Sequence, residues 1–227
     1  MKITRNKVLT ALYICVIFAG VAKTYYDENI AVAVMPVDKK CIVIDAGHGG
    51  FDPGKVASDG VTEKTINLAI AGKLCGFLEQ GGAVIRTTRA DDTSLSENKR
   101  GDLKSRAEIA NTSKADLFVS IHQNSFPKGS VKGAQVFYYK GSEEGKRLAS
   151  FIQSRLKEVV DIDNERVAKA NESYYVLKQI EIPAVIVECG FLSNSTEHDK
   201  LMSEEYQEKL AWAVYMGILD YFSEGIA

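Results

Sequence analysis

Two histidines and two glutamates have the residue types and positions of a site for metal-assisted hydrolysis. His48 follows the apolar run 41–44 within the sequence Gly-His-Gly-Gly, and His122 ends the apolar run 116–121. Glu63 opens a strongly periodic helical segment, and Glu188 ends the apolar run 182–187. Open α/β sheets build their sites at the carboxyl ends of strands, where both histidines and Glu188 stand. These side chains are therefore predicted to meet at one edge of a sheet.

The chemistry of such a set is that of an open zinc site. Two histidines and one glutamate hold zinc in many hydrolases and leave a fourth position for water, while a further carboxylate moves protons. Taken singly, each histidine could be an ordinary polar residue, Glu63 a favourable charge at a helix N-terminus, and Glu188 half of an ion pair. Their joint occurrence favours the metal site. The third histidine, His198, lies in the polar stretch 196–199 and is predicted to be on the surface.

The segments that carry these residues alternate between strands and helices. Strands are predicted at residues 41–44, 83–88, 116–122, 134–139, 174–177 and 182–188. Helices are predicted from residue 63 to the stop signal at Gly81-Gly82, at about 103–111, at 143–160 and at about 204–222. A nearly continuous apolar strand such as 182–187 suits a sheet that is covered on both faces. The pattern predicts an α/β architecture with the sheet in the middle.

Length and composition fit one packed domain with an N-terminal extension. The chain has 227 residues, of which 45% are hydrophobic and 26% charged. Its net charge of -2, from 28 basic and 30 acidic residues, gives no electrostatic basis for binding nucleic acid. The four cysteines, Cys15, Cys41, Cys75 and Cys189, have no paired spacing. They are predicted to be buried free thiols, with a disulfide as the alternative.

The N-terminus has the pattern of an export signal. Lys2, Arg5 and Lys7 precede the apolar run from Val8 to Ala22, and a basic segment before an apolar segment is typical of a secretory signal. The run is short for a membrane span, which needs about 17–25 residues; a buried core helix is the alternative. We predict that residues 1–39 are a signal or anchor with a tether and residues 40–227 the catalytic domain. The protein is then extracytoplasmic, either secreted or membrane-anchored.

Five segments in chain order carry a resemblance to a known family. They read IVIDAGHGGFDPG, EKTINLAIA, RAEIAN, LFVSIHQNSF and PAVIVECGFLSN. Together they resemble the zinc-dependent N-acetylmuramoyl-L-alanine amidases of the type 3 family, over about Cys41 to Phe222. The resemblance implies a mixed, largely parallel central sheet of about six strands, flanked by helices on both faces. One departure is Ala46, which replaces a proline common in the family, while the glycines after it are kept.

The resemblance also implies a reaction and a set of roles. One zinc ion per chain would be bound by His48, Glu63 and His122, with Glu188 as the catalytic glutamate. The implied substrate is peptidoglycan, at the amide between the lactyl group of N-acetylmuramic acid and L-alanine of the stem peptide. The form His-Gln-Asn-Ser-Phe and the short tethered domain are most similar to the germination-specific amidases of spore formers. Those enzymes help to make muramic-δ-lactam in the spore cortex, which implies action in the spore envelope.

Substrate contacts and competing functions stay open at this point. Arg106 and Arg166 are candidates to bind stem-peptide carboxylates in bidentate fashion, with salt bridges inside the domain as the alternative, and Asn124 is a third candidate contact. Competing functions are another peptidoglycan zinc peptidase, such as a carboxypeptidase, and a non-catalytic wall-binding regulator. A cysteine hydrolase based on Cys189 is disfavoured because the adjacent Glu188 raises the pKa of the thiol. Whether activity needs an accessory protein partner is not decided by the residues.

Overall fold

The computed structural model describes residues 14–20 and 34–224. Contacts divide the chain into two units, Met1–Val34 and Met35–Ala227. In the first unit residues 14–20 are helical, and the rest of the predicted signal lies outside the described residues. No helix in the described part of the chain is long and apolar enough to cross a membrane. The second unit begins before the predicted start at Lys40, because Val37 is fully buried and the Lys39 N–H donates to the Gly82 carbonyl.

The second unit contains all the strands and helices that position the candidate site. The strands are β1 (Cys41–Ala46), β2 (Val84–Thr87), β3 (Leu117–Asn124), β4 (Gln135–Tyr139), β5 (Lys169–Asn171) and β6 (Ala184–Phe191). The helices are α1 (Glu63–Gln80), α2 (Lys99–Thr112), α3 (Glu143–Arg155), α4 (Tyr175–Gln179), α5 (Ser195–Leu201) and α6 (Glu204–Ser223), and a π-helical turn (Leu156–Val160) follows α3.

One mixed sheet forms the centre of this unit. The strand order is β2-β1-β3-β6-β4-β5, and every neighbouring pair is parallel except β4 with β6. The register between β3 and β6 places His122 beside Glu188, and that between β1 and β3 places Asp45 beside Ser120. Because side chains alternate along a strand, these four lie on the same face near the carboxyl edge. The predicted α/β fold is confirmed.

Helices cover both faces of the sheet. On one face, Ile42, Ile44 and their neighbours pack in the larger apolar cluster with α1, α3 and α6. On the other face, Val43 and Phe118 pack in a smaller cluster with residues of α2 and α4. Fully burying each such side chain contributes roughly 1.5–3 kcal/mol, so the sheet provides a rigid support for groups at its edge. The apolar strands predicted from the sequence are thus buried on both sides.

The predicted strand at residues 174–177 is wrong. A short strand, β5, lies earlier at Lys169–Asn171, and the helix α4 begins at Tyr175. The side-chain oxygen of Asn171 accepts the N–H groups of Ser173 and Tyr174. This turn stops the strand and starts the helix, although the aromatic and β-branched residues that follow favour a strand.

Capping residues explain two further differences from the predicted helices. Helix α2 begins at Lys99, before the predicted start at residue 103, because the Asn98 side chain accepts the N–H of Gly101. Helix α5 was not predicted, and it begins after Asn194, whose side chain accepts the N–H of Glu197. The α-helix predicted at 143–160 ends at Arg155 and continues only as the π-helical turn.

Candidate active site

His48 lies in a left-handed turn directly after β1. Its φ of 62° is unusual for a residue with a side chain and costs about 1–3 kcal/mol. The turn is held because Arg106 Nη2 donates to the His48 carbonyl at 2.7 Å. Asp52 Oδ2 lies 2.9 Å from His48 Nδ1, which leaves Nε2 directed at Glu63 Oε1, 3.2 Å away. A carboxylate on one ring nitrogen fixes the orientation of an imidazole that binds metal through the other.

Glu63 is the first residue of α1, and both of its oxygens have partners. Oε2 accepts the Lys55 N–H at 2.8 Å, while Oε1 accepts the Gln123 N–H at 3.1 Å. Oε1 also lies 3.0 Å from His122 Nδ1. Burial opposes ionisation, but His122 and His48 outweigh it and hold the pKa of Glu63 far below its usual range. Glu63 is therefore an anionic carboxylate in a fixed orientation.

The three side chains fit a zinc ion. Within the described residues, His48, Glu63 and His122 form a group whose ligand atoms all lie within 4.8 Å of one another. Ligands at about 2.0–2.1 Å from a tetrahedral zinc lie roughly 3.3 Å from each other. The spacings of 3.0 and 3.2 Å from Glu63 Oε1 to the two histidines match that geometry. Two imidazoles and one carboxylate leave one coordination position for water or substrate.

Glu188 stands beside this group and is almost fully buried, with 7% of its surface exposed. Its Oε1 accepts the Tyr174 hydroxyl at 3.3 Å, whereas Oε2 is buried with no hydrogen-bond partner among the described residues. Burial is the main cause that raises the pKa of Glu188, and the charge on Glu63 adds to it. A carboxyl group with a raised pKa and an unpartnered oxygen is suited to take up and release a proton.

A cleft of about 400 Å³ opens above these residues. Its floor contains His48, Glu63, His122 and Glu188, and its wall includes Asn124, which was predicted as a substrate contact. The remaining wall is both polar and apolar, and includes Lys99, Leu103, Ser125, Ser173, Tyr174, Tyr175 and Val176. The four residues predicted to carry the chemistry are therefore brought together in one accessible cleft.

Comparison with known proteins identifies the family. The family model described as N-acetylmuramoyl-L-alanine amidase matches residues 42–220. The chain belongs to this amidase family. The amidase is 36% identical over 198 residues to the germination-specific N-acetylmuramoyl-L-alanine amidase of Bacillus subtilis strain 168. This match covers 84% of this chain and 83% of that protein.

Solved structures of amidases have the same fold. The CwlD amidase from Clostridioides difficile, in complex with the GerS lipoprotein, is 45% identical with a TM-score of 0.80. That similarity covers 82% of this chain and 100% of the other. An N-acetylmuramoyl-L-alanine amidase from Clostridium difficile 630 is 34% identical with a TM-score of 0.74, over 82% of this chain and 98% of that one.

The amidase uses Arg106 and Arg166 in contacts within the domain, the alternative considered for both arginines. Arg106 is 2% exposed, and its guanidinium donates to Asp102, Asp45 and the carbonyls of Ala46 and His48. Arg166 lies outside the cleft lining and donates to the Lys132 carbonyl and the Gln135 side chain. Arg106 lines the cleft, and its guanidinium supports the loop that carries His48.

Sequence analysis missed two buried residues beneath the site. Asp45, 1% exposed, accepts the hydroxyls of Thr88 and Ser120 and an N–H of Arg106. Burial opposes its ionisation, but Arg106 and the hydroxyls together lower the pKa of Asp45. Arg89 donates to the carbonyls of Ala46, Gly47 and Lys64, and so supports the same loop from the other side. For Asp45, the signal available in the sequence was a carboxylate directly after the apolar run 41–44.

His198 lies outside the cleft, but it is not a free surface residue. Its two ring nitrogens lie 3.2 Å from Asp59 and 3.2 Å from Asp199, and its side chain is only 17% exposed. His198 is not among the residues that line the cleft. The prediction of a surface side chain is wrong, because the loop that carries Asp59 covers it.

The cysteines are free thiols, as predicted, but their burial differs. Cys189 is fully buried, Cys41 and Cys75 are half-buried, and Cys15 is exposed, contrary to prediction. Cys189 packs in the larger apolar cluster, on the face of the sheet opposite Glu188. Burial and the charge on Glu188 raise the pKa of the Cys189 thiol far above its usual range. The structure therefore gives no support to a cysteine hydrolase.

Gly47 provides space for the His122 side chain, which gives a testable prediction. A Cβ at Gly47 would overlap the ring of His122, although the backbone there is not left-handed. The substitution Gly47→Ala should displace His122 and weaken zinc binding by about 10–100-fold, as is usual when the support of a ligand is lost. Zinc affinity can be measured by competition with a chelating dye. The control Gly72→Ala, where a Cβ meets nothing within 4 Å, should bind zinc as the wild type does.

Proposed function

We propose that this amidase is zinc-dependent and hydrolyses the amide between the lactyl group of N-acetylmuramic acid and L-alanine in peptidoglycan. The observation that carries the proposal is the group His48, Glu63 and His122 with the unpartnered oxygen of Glu188 beside it. His48, Glu63 and His122 would hold one zinc ion per chain. Zinc, when bound, supplies Lewis acidity that polarises a carbonyl and lowers the pKa of water.

The role of Glu188 in this proposal is to move one proton twice. Its Oε2 accepts a proton from the attacking water, whose oxygen forms a bond to the lactyl carbonyl carbon. The bond from that carbon to the alanine nitrogen then breaks, and Glu188 returns the proton to the nitrogen. The products are a stem peptide with a free amine and a lactyl carboxylic acid, which loses the second proton of the water to solvent and becomes a carboxylate. Asn124, on the cleft wall, is a candidate to contact the stem peptide.

We also propose that the substrate is spore cortex peptidoglycan, where removal of the stem peptide leads to muramic-δ-lactam. The similarity to the germination-specific amidase of Bacillus subtilis and to the CwlD amidase supports this substrate. The solved CwlD structure is of a complex with the GerS lipoprotein, which supports an accessory protein partner for this amidase as well. Such a role requires export, in agreement with the basic and apolar N-terminus.

Metal content and product release test the proposal together. The full chain should purify with about one zinc per molecule and release intact stem peptides from spore peptidoglycan, as identified by mass spectrometry. Removing zinc with a chelator should abolish release, and adding zinc back should restore it. Release of single terminal amino acids would instead identify a carboxypeptidase. A zinc-loaded protein that binds peptidoglycan but releases nothing, with or without its accessory protein, would indicate a wall-binding regulator.

A further inference from the structure

Tyr174 is the side chain that distinguishes the two oxygens of Glu188. Its hydroxyl lies 3.3 Å from Oε1 and donates to it, while Oε2 is buried and has no hydrogen-bond partner among the described residues. Both residues line the same cleft as His48 and His122. The sequence gives no indication of this contact, because Tyr174 lies on the segment before α4 and Glu188 on β6.

Two contacts fix the position of Tyr174. The Asn171 side chain accepts the Tyr174 N–H at 2.8 Å, in the turn that connects β5 to α4. The Tyr174 ring packs edge-to-face on Phe137, with 5.5 Å between the ring centroids. Phe137 belongs to β4 and pairs with Ile186 of β6, two residues before Glu188. The Asn171 turn therefore holds the backbone of Tyr174, and strand β4 holds its ring. Together these two contacts fix the position of the hydroxyl.

A carboxylate needs such a partner to keep one orientation. The last torsion of a glutamate side chain is broad and roughly two-fold, so the carboxylate plane is not fixed by the chain itself. Burial, with Glu188 as a second cause, raises the pKa of Tyr174 well above its usual range, so the phenol keeps its proton. A protonated phenol donates its hydrogen to the carboxylate Oε1, because an ionised carboxylate accepts hydrogen bonds and has no hydrogen to donate.

We propose that Tyr174 is a positioning residue that holds Oε1 of Glu188 and so directs Oε2 at the reacting water. This inference rests on the role of Glu188 in the proposed function. Tyr174 acts through Glu188 rather than on the substrate, so its hydroxyl should contribute to kcat and not to substrate binding. Losing a hydrogen bond to a charged group typically lowers a rate by about 10–100-fold.

The test is Tyr174→Phe in the full chain, which keeps the ring on Phe137 and removes only the hydroxyl. We expect kcat to fall by about 10–100-fold, with KM within about twofold of the wild type, since an interaction that acts in the transition state affects kcat alone. Zinc content and the melting temperature should be unchanged. The matched control is Tyr139→Phe, a tyrosine of the same apolar cluster outside the cleft.

Each other outcome would overturn the inference. A kcat equal to that of the wild type would show that the hydroxyl has no role. A raised KM with unchanged kcat would make Tyr174 a substrate contact, and loss of zinc or of stability beyond the control would make it structural. A separate variant, Glu188→Gln, tests the proposed function: if it kept full activity, the role of Glu188 itself would be wrong, whatever Tyr174→Phe shows.

Discussion

The substitution Glu188→Gln is expected to lower the kcat of stem-peptide release by about 10³-fold, within the usual range for losing a general acid and base. Glutamine has the same shape as glutamate, and its amide oxygen can still accept the Tyr174 hydroxyl, so the cleft should keep its geometry. Glu188 is not one of the three residues that group as metal ligands. The variant should therefore bind zinc as the wild type does, and its loss of activity should be chemical rather than structural.

Turnover and zinc content, measured on the same preparation, check this prediction. Product release is followed by mass spectrometry and zinc by atomic absorption, with the melting temperature as a test of folding. Glu205→Gln, an exposed glutamate in the first turn of α6, is the control and should be as active as the wild type. A zinc-loaded Glu188→Gln enzyme with activity within tenfold of the wild type would exclude Glu188 as the proton-transfer group.

The four residues of the candidate site could be predicted because they lie at positions that the fold itself determines. His122 and Glu188 lie in the carboxyl-terminal halves of long, mostly apolar strands, and parallel strands that share a sheet bring these parts to one edge. His48 follows a third strand within a glycine-rich turn, and Glu63 begins the next helix. The hydrophobic pattern and the glycine positions, both visible in the sequence, were sufficient to predict that these four residues lie together.

The residues that support the site could not be predicted, because their roles depend on the direction of a side chain in the folded protein. Arg106 and Arg166 both suggested carboxylate binding, yet their guanidinium groups donate to neighbouring residues of the domain. Tyr174 lay in a segment predicted as a strand, and the Asn171 turn gives it another direction. A strand places alternate side chains on opposite faces, so one wrong element removes the basis for assigning any side chain within it.

Replacing Arg106 with methionine is expected to destabilise the domain by about 3–5 kcal/mol, the usual cost of removing one partner from a buried ion pair. For a domain of this size that loss corresponds to a melting temperature lower by roughly 6–20 °C. The physical reason is Asp45, which is 1% exposed and would lose the guanidinium that compensates its buried charge. The carbonyl of His48 would also lose its donor at 2.7 Å, so zinc affinity should fall together with stability.

Denaturant unfolding measures the loss of stability, and a double-mutant cycle separates it from the loss of zinc affinity. Lys146→Met, which breaks an exposed pair with Glu143 at 3.8 Å, is the control and should cost at most about 0.5 kcal/mol. Asp45→Asn combined with Arg106→Met should cost less than the sum of the single variants, because neither member of the Asp45–Arg106 pair is then left without its partner. Strict additivity would contradict a coupled pair.

Zinc affinity should stay low in the double variant, since methionine cannot donate to the His48 carbonyl. If the double variant instead bound zinc as the wild type does, His48 would keep its left-handed backbone without Arg106.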